Sequence, residues 1–384
     1  MNSRERVMAA ISHKEPDRVP IDFGGTNCST IHRSTHEKLL ELVGLDESIE
    51  EVYDIIQQVV RPDPRLLNMF GNDVYLIRPN FSDNFKLKVT KDDKYSYFTD
   101  EWGTKYRMPH DGYFYDFYIN PLAEATLNEV KKYEFPDPGN KGRVKGLKRQ
   151  ANHIFKNTDY ALIMSDGIWG MLQHSALLLG FQRLYEAIAS EKNIIITLMD
   201  RLLEYECIYW DRVFDQVKDY IQIIHISDDL GGQCAPNIDP EFYRNVIKPF
   251  HRKLIEHIKS RSEVKILFHS CGSIYDFIPD FIEIGIDILN PVQVSASHME
   301  TFDLKKEFGK DLVFWGGGMD TQSVLPFGSP DMIREEVKRR LQDLAPGGGF
   351  IFTTVHNIQA NVPAINVKTM FEAVLEYGNY PIMP

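Results

Sequence analysis

The sequence predicts an α/β protein built as a (β/α)8 TIM barrel. Three observations carry this. Short apolar runs of strand length recur along the chain, amphipathic helical stretches separate most of them, and polar, chemistry-bearing residues cluster just after the runs. The runs are Arg18–Phe23, Asn72–Ile77, Asp159–Ser165, Ile221–Ser227, Val264–His269, Ile286–Asn290, Leu312–Gly316 and Gly349–Thr354. Continuous apolar character of that length suits strands buried on both faces, as in a parallel sheet. An open doubly wound sheet is the other way to arrange such units, but no strand-linked GxGxxG fingerprint for a dinucleotide is present.

The helical stretches are read from apolar stripes. From Pro240 to Ser260, Phe242, Val246, Phe250, Leu254, Ile255 and Ile258 fall on one face, with Asp239 as N-cap and Pro240 at the first helical position. Ile274–Ile284, Pro330–Leu344 and Ala364–Tyr377 carry similar stripes, and a helix is expected near Ile49–Val60. Residues 1–384 are read as one barrel domain, interrupted at 80–120 by a β-rich insertion after the second strand. There Phe85–Thr90 alternates, Asp92-Asp93 turns, and Tyr95–Phe98 alternates again, an antiparallel hairpin signal. The aromatic residues that follow (Trp102, Tyr106, Tyr113, Phe114, Tyr115, Phe117, Tyr118) suit a lid, a homodimer surface or a small satellite core.

Bulk properties narrow the function. Lys and Arg total 43 against 55 Asp and Glu, a net charge of −12, which repels phosphate backbones and argues against nucleic acid. No apolar run approaches bilayer length, and the polar start of the chain does not read as a signal peptide, so the expectation is a cytoplasmic protein without a membrane partner. Four cysteines, Cys28, Cys207, Cys234 and Cys271, are too few for a disulfide framework. Any special role for one of them is chemistry or metal.

The strongest local signal is Phe268-His-Ser-Cys-Gly272 at the end of the fifth strand. Residues i and i+2 of a strand share a side, so His269 and Cys271 face one space, and in a barrel that space is the active-site mouth. An imidazole and a thiolate together suit zinc, and a catalytic zinc asks for a third ligand, for which His356 beyond the eighth strand is the candidate. Without metal, the same residues read as hydrogen-bonded pocket groups. The second constellation is Ser227-Asp-Asp-Leu-Gly231 after the fourth strand. Adjacent acids there point opposite ways, so one of Asp228 and Asp229 faces the mouth as a catalytic or orienting carboxylate and the other anchors the loop. Asn27, Cys28, Trp169, Gln233, Asn290 and Asp320 are substrate-binding candidates at strand ends, with Asp22, Asp166, Gln293, His298 and Gln322 as lesser ones; His225 reads as internal. Pro346-Gly-Gly-Gly349 precedes the eighth strand and reads as a turn rather than a phosphate cradle.

Taken jointly, several motifs resemble the uroporphyrinogen-decarboxylase-like (URO-D-like) superfamily. They are Arg4-Glu-Arg-Val-Met-Ala-Ala10, Glu15-Pro-Asp-Arg-Val-Pro20, Asp100-Glu-Trp-Gly-Thr104, Asp228-Asp-Leu-Gly231, His269-Ser-Cys-Gly272, Gly285-Ile-Asp-Ile-Leu-Asn-Pro-Val292 and Gly316-Gly-Gly-Met-Asp320. The resemblance implies the barrel, and it divides over the reaction. True decarboxylases of porphyrin biosynthesis carry an Arg-Gln-Ala-Gly-Arg motif for the carboxylates of a tetrapyrrole, where this chain has Gly24-Gly-Thr-Asn-Cys-Ser-Thr-Ile-His-Arg33. Corrinoid-dependent methyltransferases of the superfamily hold zinc with a His-x-Cys pair, matched by His269 and Cys271, and a later Cys, near whose place this chain has His356. The resemblance therefore implies a methyltransferase that moves a methyl group between a small methylated substrate or a thiol and the cobalt of a corrinoid on a partner protein, for example in O-demethylation of an aromatic methyl ether. Zinc would lower the pKa of a thiol or stabilise a leaving oxygen. Uroporphyrinogen decarboxylase and a non-catalytic ligand-binding barrel are the other readings.

Overall fold

The structure, a computed structural model, describes residues 1–46 and 51–382. Its centre is a parallel sheet of seven strands lying side by side in chain order: β1 (Val74–Ile77), β2 (Ala161–Ser165), β3 (Ile223–Ser227), β4 (Lys265–His269), β5 (Ile288–Asn290), β6 (Val313–Trp315) and β7 (Phe350–Ile351). All seven are the cores of runs expected from sequence. The first expected strand, Arg18–Phe23, does not form a full ladder. Ile21 makes one parallel bridge to Phe352, Phe352 N donates to Pro20 O at 2.9 Å, and Asp73 N donates to Ile21 O at 2.8 Å. Pro20 has no N–H to give, which interrupts the ladder. Residues 20–23 thus occupy the eighth place between β7 and β1, and the curled sheet is an incomplete (β/α)8 barrel.

Side-chain alternation divides the strands into two layers. Val74, Leu76, Ala161, Ile163, Ile223, Leu267, Ile288, Val313, Trp315 and Ile351 form the inner cluster, where Val7 and Ala10 of the first helix (Ser3–Ala10) join them. Leu162, Met164, Ile224, Ile266, Phe268, Leu289 and Phe314 face outward into the larger core beneath the helices. Those helices follow the sequence closely at Pro330–Leu344 and Ala364–Tyr377. The stretch beginning at Pro240, capped by Asp239 as expected, winds into a π turn at Tyr243–Ile247 before continuing as Lys248–Arg261. Pro249 explains the local slip, because it cannot donate to the turn before it.

Two expectations are corrected. The helix near Ile49–Val60 is absent from its described part. Residues 47–50 lie outside the described chain, and beyond them Val52–Asp54 and Val59–Val60 are strands of a small antiparallel sheet with Ile31–His32. The β-branched Val59 and Val60, both fully buried, prefer a pleated surface and override the helical spacing. In the insertion the hairpin forms, but Phe85–Val89 stays outside it. The four-stranded antiparallel sheet runs Thr90–Lys91, Tyr95–Thr99, Lys105–Pro109 and Asp116–Ile119, with its own small core of Phe98, Tyr106 and Tyr115. Among the described residues no helix is long and apolar enough to cross a membrane.

Closure of the barrel runs through one buried carboxylate. Asp73, fully buried at the foot of β1, accepts from Arg6 at 2.7 Å, from Arg18 at 2.7 and 3.1 Å, and from the Ile21 backbone N–H at 2.8 Å. Asp73→Ala removes the buried acceptor shared by Arg6, Arg18 and the Ile21 N–H, although Arg6 keeps Asp17 and Arg18 keeps the carbonyls of Val19 and Gly71. The expected cost is about 3–5 kcal/mol, read as a lower denaturation midpoint in urea; a change under about 1 kcal/mol would contradict this role for Asp73.

Candidate functional site

The strand ends bring a cluster of nitrogen, sulfur and oxygen donors together around His269. It sits at the C-terminal end of β4 on the inward side, two residues beyond the interior Leu267, and is buried. Its Nδ1 lies 2.6 Å from Asn290 Oδ1, and Asn290 in turn donates its Nδ2 to Trp315 O at 2.8 Å. With the amide fixed that way round, Asn290 can only accept from the imidazole. Nδ1 therefore carries the proton and Nε2 presents a lone pair. Around Nε2 lie Cys271 Sγ at 3.4 Å, Cys28 Sγ at 3.7 Å and Asp229 Oδ1 at 3.7 Å. The His356 ring centroid is 5.9 Å from that of His269.

The donors form two groups that could hold a metal ion: Cys28, His269 and His356, and Asp229, His269 and Cys271. Within each group the donor atoms lie within 4.8 Å of one another. A tetrahedral zinc with Zn–N near 2.05 Å and Zn–S near 2.3 Å has an N···S edge of roughly 3.6 Å. The two observed sulfur–nitrogen distances bracket that value. The donor set therefore fits zinc, and the Asn290 bond behind the imidazole is the outer-shell support that metal-bound histidines use. The expected triad of His269, Cys271 and His356 is divided: Cys271 and His356 fall in different groups, joined through His269. Cys28, expected among the substrate-binding residues, lies in the first of these donor groups. Its place was implicit in the barrel closure, which sets the loop after residues 20–23 beside the loop after β7.

The electrostatics favour a cation. Burial, and then Asp229, push both thiols well above the ordinary cysteine range. Burial and the neighbouring His269 bring His356 down to about 4, and the same two causes bring His225 down to about 3, so both imidazoles are neutral near pH 7. His225 is inward and buried, as expected from sequence, with its ring centroid 6.0 Å from that of His269.

The two adjacent acids divide as alternation requires. Asp229 faces the cluster and also accepts the Cys271 backbone N–H at 2.8 Å. Asp228 is turned away and fully buried. It accepts from Leu172 N at 2.9 Å, Gln173 N at 2.7 Å and His251 Nε2 at 3.0 Å, so it holds the N-terminus of helix Met171–Leu179. A glycine is needed at 272, where φ is +89° and a Cβ would come within 2.3 Å of the Gly231 backbone, because the loops after β3 and β4 touch there.

The remaining candidates scatter. Trp169 is half-buried in the loop after β2, and Gln233 is exposed at the rim, bonded to Ser295 O and to Gln293 and Gln322. Gln293 accepts the Gly272 N–H at 2.8 Å. Asp320 closes its own loop on Gln322 N and Ser323, and His298 is exposed. The Asn27 side-chain oxygen is buried beside the cluster without a partner. Asp22 is buried under Trp315, whose Nε1 donates to it at 2.7 Å, and burial pushes it up to about 6. Asp166 follows β2 directly, bonded to Ser165 and Ser227, and burial pushes it up to about 8. Sequence reading passed over Glu206, a fully buried acid on helix Lys192–Val217 that accepts from Trp210 Nε1 at 3.0 Å; its signal was a lone carboxylate on an apolar helical stripe.

Asn290→Ala is expected to lower zinc affinity roughly 10- to 100-fold, measured by chelator competition. Because the thiols are held protonated and His356 neutral, zinc uptake should release thiol protons, and affinity should rise with pH below the thiol range. Calorimetry in buffers of different protonation enthalpy counts those protons; proton-neutral uptake would argue against thiolate ligation.

Comparison with known proteins gives the following. Residues 101–377 match the model of the family described as "Uroporphyrinogen decarboxylase (URO-D)". The uroporphyrinogen decarboxylase of Alcanivorax borkumensis is 28% identical over 196 residues, covering 51% of this chain and 52% of that protein. That of Actinobacillus succinogenes is 26% identical over 198 residues, covering 52% of each. The chain thus spans about half the length of these curated relatives. Among solved structures, a methyltransferase from Methanosarcina mazei superposes with a TM-score of 0.62 at 16% identity, covering 98% of this chain and 99% of that one, a likeness of fold.

Proposed function

Since the chain belongs to the uroporphyrinogen decarboxylase family, a membership that leaves the reaction open, we propose that it is a zinc-assisted methyltransferase. In this reading it moves a methyl group between a small methylated substrate or a thiol and the cobalt of a corrinoid carried by a partner protein. The single observation that carries the proposal is the convergence of Cys28, Cys271, Asp229 and His356 on the unprotonated nitrogen of His269. A tetrapyrrole decarboxylation has no evident use for two thiols beside an imidazole.

His269 would hold the metal together with Cys271 and Asp229 or with Cys28 and His356. Zinc bound there supplies Lewis acidity, which stabilises a leaving oxygen or lowers the pKa of a bound thiol. Asn290 keeps the imidazole in the ligating tautomer. Asp229 serves either as a ligand or as the carboxylate that orients substrate, while the buried Asp228 positions the helix behind it. Asp166, bonded to Ser165 and Ser227, keeps its proton near neutral pH because of burial.

The second reading is uroporphyrinogen decarboxylase itself. The family model and the names of the sequence relatives favour it. Against it stands the loop Gly24–Arg33, where one arginine replaces the closely spaced pair expected to grip a carboxylate-rich ring.

Metal analysis and two assays separate the readings. Purified protein should carry about one zinc per chain, lost in Cys271→Ala, and should methylate free cob(I)alamin from a methyl donor. Metal-free protein that consumes uroporphyrinogen would establish the decarboxylase instead, and metal-free protein inert to both would leave a binding barrel.

A further inference from the structure

One cation at the mouth, Arg78, makes no ion pair or hydrogen bond with a described residue. Arg78 follows β1 directly. Val74 and Leu76 of that strand belong to the interior cluster, while Tyr75 and Ile77 pack outward, so alternation puts Arg78 on the inward side at the C-terminal end of the barrel. Ile77 pairs with Met164, which brings Arg78 level with Ser165, next to Asp166. The side chain is half-buried. Every other buried or half-buried arginine among the described residues donates to a carboxylate or a carbonyl: Arg6 and Arg18 to Asp73, Arg61 to Glu51, Arg143 to Glu101, and so on. Arg78 donates to none. Its guanidinium carbon lies 5.5 Å from the centroid of the Tyr53 ring, which Arg61 approaches at 4.5 Å.

A half-buried guanidinium without a partner costs free energy, and this chain, with 55 acidic residues against 43 basic, has no shortage of carboxylates to pair it. Asp166, one residue beyond Ser165 across the sheet, does not do so. Asp166 is held by the hydroxyls of Ser165 at 3.4 Å and Ser227 at 3.2 Å, and burial keeps its proton on near neutrality. A guanidinium seated on an aromatic ring, with its fork open, is the arrangement that grips a planar carboxylate at two points.

We propose that Arg78 anchors a carboxylate on the substrate, so that the chain acts on small anionic methyl compounds such as methoxylated benzoates rather than on neutral methyl ethers. The substrate class rests on the methyl-transfer reading; the anion site does not.

Calorimetric binding of 3-methoxybenzoate and of its neutral isostere 3-methoxybenzamide to the purified protein tests the proposal. The acid is expected to bind roughly 10- to 100-fold more tightly, the range of a charged hydrogen-bonded pair. Arg78→Gln should abolish that preference while leaving the benzamide affinity unchanged, and Arg78→Lys should restore part of it. Cys271→Ser is the control for a carboxylate held by metal, and there the preference should persist. Equal affinities in the parent, an unchanged preference in Arg78→Gln, no binding of the acid, or loss of the preference in Cys271→Ser would each overturn the proposal. A retained, Arg78-dependent preference without methyl transfer to cob(I)alamin would instead refute the methyl-transfer reading and leave the anion site standing.

Discussion

The buried carboxylate of Asp73 is the constraint on which the site depends. Residues 20–23 cannot pair as a full strand because Pro20 breaks the ladder, so backbone hydrogen bonds alone hold the eighth position weakly. Asp73 makes good the deficit by binding the Ile21 N–H together with Arg6 and Arg18. The first helix, the eighth position and β1 are thereby tied at one point. The loop carrying Cys28 is then held beside the loop after β7 by Ile358 N donating to Thr30 O at 2.8 Å and His32 N donating to Ile358 O at 2.7 Å.

Within the closed barrel, one hydrogen bond decides what the mouth can do. Asn290 is locked by Trp315 O and therefore accepts from the imidazole of His269, which turns the basic nitrogen toward the two thiols and Asp229. Acids surround the Cys28 thiol, with Asp229, Asp54, Asp166 and Asp22 all raising its pKa after burial itself. Such a site disfavours free thiolate, and its donor groups could hold a metal ion. Arg78, on the inward side after β1, adds a cation to this end of the barrel.

Much of this was legible from the chain. The seven strands lie inside the expected runs because strands buried on both faces leave a continuous apolar signature. His269 and Cys271 were legible as a pair because the strand period places them on one side. The alternation that separated Asp228 from Asp229 was legible too, though not which acid faced inward. Less local features were misread or missed. Val59 and Val60 carry a spacing compatible with a helix, and only their pairing with Ile31–His32 reveals strands. Arg78 was readable as the inward residue after Leu76, but its missing partner shows only when every other arginine has been placed.

By itself, then, the sequence determined the order of strands and helices, the side each strand residue faces, and the residue types gathered at the strand ends, since periodicity and chain direction are properties of neighbours along the chain. The tertiary structure alone decided which of those ends meet. That Cys28 reaches His269 across 241 positions, that His356 and Cys271 fall in separate donor groups, and that Asp228 props a helix rather than facing the mouth all follow from barrel closure and loop packing. Distances between residues far apart in sequence depend on the sum of every intervening contact, and no local pattern encodes that sum.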